Sequence, residues 1–171
     1  MHGHAAPIME TLTVMSRNTL EKIRRVLHTA DVAFREAHHE PTRTSEESAA
    51  ARGEPLGVGA KALLLRTDEV FRLFVLPADR KLDSNAVRRH LGVRKTRFAT
   101  LEELDELVGL VPGAVPPFGE PVLPFELYAD EAVGMEYGKV AFNAGSLTDS
   151  IIMSASDWEA VARPTRFRFA K

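Results

Sequence analysis

Residues 57 to 65 read GVGAKALLL, and the lysine in that run is the first place where this chain could do chemistry. The apolar pattern predicts a strand buried on both faces, with Lys61, Leu63 and Leu65 on one side and Ala60, Ala62 and Leu64 on the other. An ammonium beside apolar packing is costly unless it has an anionic partner, a ligand or a lowered pKa, or reaches round the sheet edge to water. Two further stretches have the composition of a site. Phe142-Asn143-Ala144-Gly145-Ser146 ends a predicted strand in a small-residue turn whose N–H groups could converge on an oxyanion or phosphate. The run GLVPGAVPPFGEP, residues 109–121, is too broken for a helix or strand, and Pro116-Pro117 make it a stiff wall suited to a small side chain. The plain alternatives for these two stretches are a tight turn and a packed connection.

Familiar catalytic equipment is missing. The chain has no GxSxG, no GxxxxGK[ST], no GxGxxG and no HExxH, and it has no cysteine, which removes thiolate nucleophiles, thiolate metal sites and disulfides together. His38-His39-Glu40 lies in a predicted strand, where neighbouring side chains point to opposite faces, so this pair does not make a chelate. We expect neither a metal nor a cofactor.

The elements that must position these residues announce themselves by their caps. A helix is predicted from about Thr19 to Thr29, opened by Asn18 and Glu21, followed by a short strand over 32–38. Thr44 with Glu47 opens SEESAAAR, which Gly53 closes. A hairpin follows, Ala60–Arg66 and Val70–Leu76 about a turn at Thr67-Asp68-Glu69. Asp83 or Ser84 starts a basic helix ending at Gly92, and Thr100 with Glu103 starts an acidic one ending at Gly109. Strands are predicted near 124–129, 139–142 and 149–153, then a short helix capped by Ser156 with Glu159, and an edge strand over 166–169. Strands mixed with dispersed helices, without a βαβ beat, indicate α+β with a mixed sheet.

At 171 residues, 44% hydrophobic and 27% charged, the chain reads as a flexible N-terminal leader, 1–17, and one globular domain, 18–171. The leader lacks the uninterrupted apolar stretch of a secretory signal, and no run is long and apolar enough for a membrane span, so a cytoplasmic protein is expected. Net charge is only −2, but it is segregated: Arg80, Lys81, Arg88, Arg89, Arg94, Lys95 and Arg97 stand against Asp83 alone, and no basic residue lies between Arg97 and Lys139. Such a basic face could attract a polyanion, or could be no more than solvated helix surface.

Taken together, His39 before the Thr44 helix, GVGAKALLL, LPADRKLD, VPGAVPPFG and VAFNAGSL resemble the YbaK family of aminoacyl-tRNA deacylases, which are related to the editing domain inserted in bacterial prolyl-tRNA synthetases. The wording GVGAKAL, DELVGLVPGAVPPFG and VAFNAGSLTDSIIM is most similar to the freestanding YeaK-like branch. The resemblance implies a mixed, partly barrel-like sheet surrounded by helices, and a pocket for the 3′ aminoacyl-adenosine. It implies hydrolysis of the ester of misacylated tRNA carrying a small amino acid, Ser or Thr, or else Ala or Cys. Lys61 falls on the family's essential lysine, Gly145 on its glycine turn, and Gly113 and Pro117, with Phe118 beside them, on its Gly/Pro loop. His39, Asp79 and Asn143 match positions facing or supporting the site, and Asn143 and Ser146 are the polar groups available for telling small side chains apart. The implied partners are tRNA and a synthetase. Arg88, Arg89, Arg94 and Lys95, and the terminal Arg163, Arg166, Arg168 and Lys171, are then expected on acceptor-stem phosphates. The rival reading is a module on the same fold that binds tRNA or a nucleotide without catalysis; a small-molecule amidase or esterase is disfavoured by the missing nucleophile.

Overall fold

The computed structural model describes residues 18–171, so the expected leader lies outside the described residues. Helix α1 spans 18–29 and is followed by β1 (Phe34–His38), α2 (Ser45–Arg52) and a 3₁₀ turn, Leu56–Val58. Next come β2 (Ala60–Thr67), β3 (Val70–Pro77), α3 (Ser84–Leu91), β4 (Thr96–Phe98) and α4 (Leu101–Val108). After a long connection follow β5 (Leu127–Ala129), β6 (Lys139–Asn143), β7 (Asp149–Ser154), α5 (Ala155–Ala162) and β8 (Thr165–Arg166).

The caps do what their residue types allow. Thr44 and Thr100 accept the Glu47 and Glu103 N–H groups, and Gly53, Gly92 and Gly109 close α2, α3 and α4 in the left-handed region. The expected box at α2 is only half formed, because the Glu47 carboxylate takes the N–H of Arg43 and not of Thr44. The last helix begins two residues earlier than expected: Ser154, not Ser156, is its cap and accepts from Asp157 N. At α4 the box is complete, and Glu103 also accepts from Arg97 at 2.7 Å and Thr100 N at 2.9 Å. Those bonds, Arg97's foremost, hold its carboxyl down to about 2 against an ordinary 4.5. Because the folded value lies below the unfolded one, this contribution is complete above about pH 4.5 and is lost as pH falls toward 2. The Glu103 carboxyl resonance is expected to titrate near pH 2 in NMR, and Arg97→Ala to move it upward; a wild-type midpoint near 4.5 would contradict the pairing.

The fold is α+β with a mixed sheet, as expected, but its sheets do not close into a partial barrel. β1-β7-β6 is one antiparallel sheet; β4-β2-β3-β5-β8 is another, antiparallel up to β3 and parallel beyond it. An isolated bridge, Gly59 to Ala141, links the two. Strand alternation then divides three layers of packing. Ala60, Leu64, Leu73 and Val75 of one sheet meet Val140, Phe142, Ile151 and Met153 of the other in the main core, with Ile23, Leu27 and Trp158 from the helices. Leu65, Phe74 and Leu76 face the opposite way, onto Val87, Phe167 and Phe169. Ala141 and Ile152 pack on Val58. Strand β4 was not legible, because Thr96-Arg97-Phe98 is a short edge with no apolar alternation.

Candidate active site

The site lies where the start of β2, the end of β6, the face of α2 and the Gly/Pro loop meet around a cavity of about 310 Å³. Gly59 explains the glycine before the lysine. A Cβ there would come within 2.8 Å of the Ala78 side chain, so its absence lets β2 begin tight against the end of β3, where Gly59 O accepts from Ala78 N at 2.8 Å. Lys61 is thereby fixed at the cavity wall. Its Nζ donates to the Arg80 carbonyl at 2.6 Å. Burial pulls its pKa below the ordinary lysine value, opposed by Asp79 and Glu46 and assisted by Lys81.

The loop is tied down at three points. Asn143 Nδ2 donates to Gly113 O at 2.8 Å, Gly145 N to Ala114 O at 3.0 Å, and Trp158 Nε1 to Pro117 O at 3.0 Å. Gly113 and Gly145 have φ of +85° and +92°, which a side chain would strain. The Gly145 N–H is therefore not free for an oxyanion; this glycine supplies the backbone turn that docks the loop.

Sequence reasoning missed Arg52. As the last residue of α2 it reads as a cation compensating the helix dipole, yet it is 9% exposed and lines the cavity. Its Nε donates to Ser150 Oγ at 2.9 Å and one Nη2–H to Asn143 Oδ1 at 3.0 Å. A guanidinium has five N–H donors, so three are left, and none has an acceptor among the described residues. Neither does any carboxylate there pair with it. Burial pulls its pKa down to about 10, against the opposing charge of Glu54. The signal that could have exposed it is helical spacing: Ser48, Ala49 and Arg52 share the inward face of α2, among small residues that let the helix approach closely.

Of the residues expected from sequence, Lys61, Gly113 and Asn143 line the cavity. His39 stands one bond behind it: Nδ1 donates to Glu40 O at 2.9 Å and Nε2 is 2.8 Å from Ser150 Oγ, which supports Arg52 and Asn143. Asp79 is exposed beside Lys61. Phe118 is in the core edge-on to Phe142, and the Ser146 hydroxyl is held in its own turn by Asp149. Neither Phe118 nor Ser146 is among the lining residues, and the same holds for Pro117 and Gly145.

Arg88 donates to Thr96 Oγ1 and Asn85 Oδ1. Arg94 and Lys95 use their backbone N–H groups on the Asp68 carboxylate, and with Arg88, Arg66 and Arg97 they ring a shallow basic depression. Arg89 is exposed on α3. Arg166 is not available to a phosphate: its guanidinium is bound to Glu159 and to the carbonyls of Asp130 and Val133. No helix among the described residues is long and apolar enough to cross a membrane.

The chain matches the model of the aminoacyl-tRNA editing domain over residues 39–161. It is 32% identical over 167 residues to the multifunctional Ser/Thr-tRNA deacylase ProXp-y of Escherichia coli (strain K12), covering 94% of this chain and 99% of that protein. It is 33% identical over 88 residues to the proline–tRNA ligase of Shouchella clausii (strain KSM-K16), where the match covers 52% of this chain and 15% of the ligase. A crystal structure described as a candidate trans-editing enzyme for prolyl tRNA synthetase superposes with a TM-score of 0.77 at 25% identity, over 90% of this chain and 97% of that one. By the extent of these matches, the chain belongs to the aminoacyl-tRNA editing domain family.

Proposed function

We propose that the protein is a trans-acting deacylase that hydrolyses the ester of misacylated tRNA bearing a small amino acid, serine or threonine first. The observation that carries this reading is the cavity's lining: three cations, Lys61, Arg52 and the exposed Arg43, and the pinned amide of Asn143, with no His, Asp or Glu among the lining side chains. Such a site polarises and positions but has no base of its own. An aminoacyl ester suits it, because the vicinal ribose hydroxyl of the substrate can orient and deprotonate the attacking water. Water oxygen adds to the carbonyl carbon, the oxyanion collapses, and the ribose oxygen leaves with the proton. Lys61 anchors the terminal phosphate or ester carbonyl with the N–H bonds not given to Arg80; Asn143, Gly113 and Gly145 hold the pocket wall, with His39 behind them. Ala60, Ala62 and Ala141 leave room for a small group, and the cavity's volume of about 310 Å³ limits what fits.

A panel of Ala-, Ser-, Thr-, Cys- and Pro-charged tRNAs tests the reading by the rate of ester loss. Tight binding of all five with no ester loss would make the protein a binding module instead.

Lys61 and Thr67 lie at opposite ends of β2, about 20 Å apart at the strand rise. That separation supports a reading in which the basic depression beyond Thr67 meets acceptor-stem phosphates while the 3′ end enters the cavity. Alanine at Arg89, Arg94 and Lys95 together is expected to reduce the slope of log affinity against log salt by roughly 2–3, about 0.9 per phosphate contact. An unchanged slope in anisotropy titrations would remove these side chains from the tRNA interface.

A further inference from the structure

We propose that Thr42, Ser48 and Arg52 form a subsite that reads a hydroxyl on the side chain of the esterified amino acid, an inference that rests on the deacylase reading above. The three residues are 5%, 7% and 9% exposed, and all line the cavity. Ser48 and Arg52 are one helical turn apart on α2. Thr42, held by its N–H on Leu147 O, puts Oγ1 at 2.7 Å from Ser48 Oγ.

Two hydroxyls carry two hydrogens and four lone pairs between them. Their mutual bond uses one of each, and neither oxygen has another hydrogen bond among the described residues. One O–H and three lone pairs therefore remain on this wall, beside the three Arg52 N–H groups without acceptors. A side-chain hydroxyl complements that set: it donates to a lone pair of Thr42 or Ser48 and accepts from Arg52. Ala60, Ala62, Val115 and Ala141 line the cavity without side-chain hydrogen-bonding groups and suit a threonine methyl. An alanyl side chain would shield the polar wall from water and offer it nothing, which is how a site built to bond a hydroxyl rejects the analogue that lacks one.

The test compares kcat/KM for Ser-tRNA and Ala-tRNA in the full chain, in Thr42→Val, which keeps the shape, and in Ser48→Ala, which favours the helix. Each variant is expected to lower the Ser:Ala ratio by about 10-fold or more, through loss on the seryl substrate. Wild-type activity combined with ratios that do not move, or with equal losses on both substrates, would overturn the subsite and leave the deacylase reading standing. A wild type inert toward every charged tRNA would overturn both.

Discussion

Lys61→Ala is expected to lower single-turnover deacylation of the preferred charged tRNA by about 10²- to 10³-fold, the scale of removing one preorganised donor from a reacting ester. Folding is expected to survive the change. The substitution removes one hydrogen bond, to the Arg80 carbonyl, worth about 0.5–1.5 kcal/mol, and also removes a charge whose desolvation works against the folded state. A melting temperature within a few degrees of wild type, with activity gone, would locate the defect in the cavity. The lowered pKa supplies a second readout. If the ammonium is the working form, activity falls on the alkaline side at a pH below the 10.5 of an ordinary lysine, because deprotonation sets in earlier when the charge is half desolvated. Lys61→Arg, whose guanidinium holds its proton more tightly than an ammonium in the same place, is expected to move that alkaline limb to higher pH in whatever activity it retains. Near-normal hydrolysis by Lys61→Ala of every charged tRNA offered would take the lysine out of the mechanism.

What could be read from the sequence follows the range of the forces involved. Thr44, Thr100, Gly53, Gly92 and Gly109 act within one helical turn of themselves, so their residue types alone mark where α2, α3 and α4 begin and end. The hairpin β2–β3 is equally local: Leu64 pairs with Leu73 and Thr67 with Val70 around a two-residue turn. Lys61 stood out because a charge in an apolar strand conflicts with its own neighbours. The cavity's buried arginine does not. Arg52 looks like an ordinary helix C-terminal arginine until β1–β7 pairing and α2 packing bring it to Ser150 and Asn143, residues 98 and 91 positions away. The same distance effect hid the use of the Gly145 N–H, whose partner Ala114 lies on another loop. Sheet closure was misjudged because strand pattern fixes which residues face a core and not which strands are partners. Alternation is identical whether eight strands make one barrel or two open sheets.

Trp158→Ala is expected to destabilise the protein by about 3–5 kcal/mol, the range for deleting a fully buried large aromatic. In a chain of this length that lowers the melting temperature by roughly 10 °C, at 2–4 °C per kcal/mol. Trp158 also carries the inner tie of the Gly/Pro loop, since Nε1 donates to the Pro117 carbonyl, which is itself in a buried stretch. Trp158→Phe separates the two roles. Phenylalanine restores most of the apolar volume but leaves the Pro117 carbonyl without its donor, a cost of about 1–3 kcal/mol, so its melting temperature should lie between wild type and Trp158→Ala. If the tie holds Gly113 and Ala114 against Asn143 and Gly145, the phenylalanine variant loses more activity than its stability explains. Measured well below its own melting point, its kcat should fall with little change in affinity for charged tRNA, because the phosphate contacts proposed for tRNA lie elsewhere, along α3 and β4. A variant that tracks wild-type kcat at that temperature would show that the remaining ties, from Asn143 and Gly145, suffice to set the wall of the cavity.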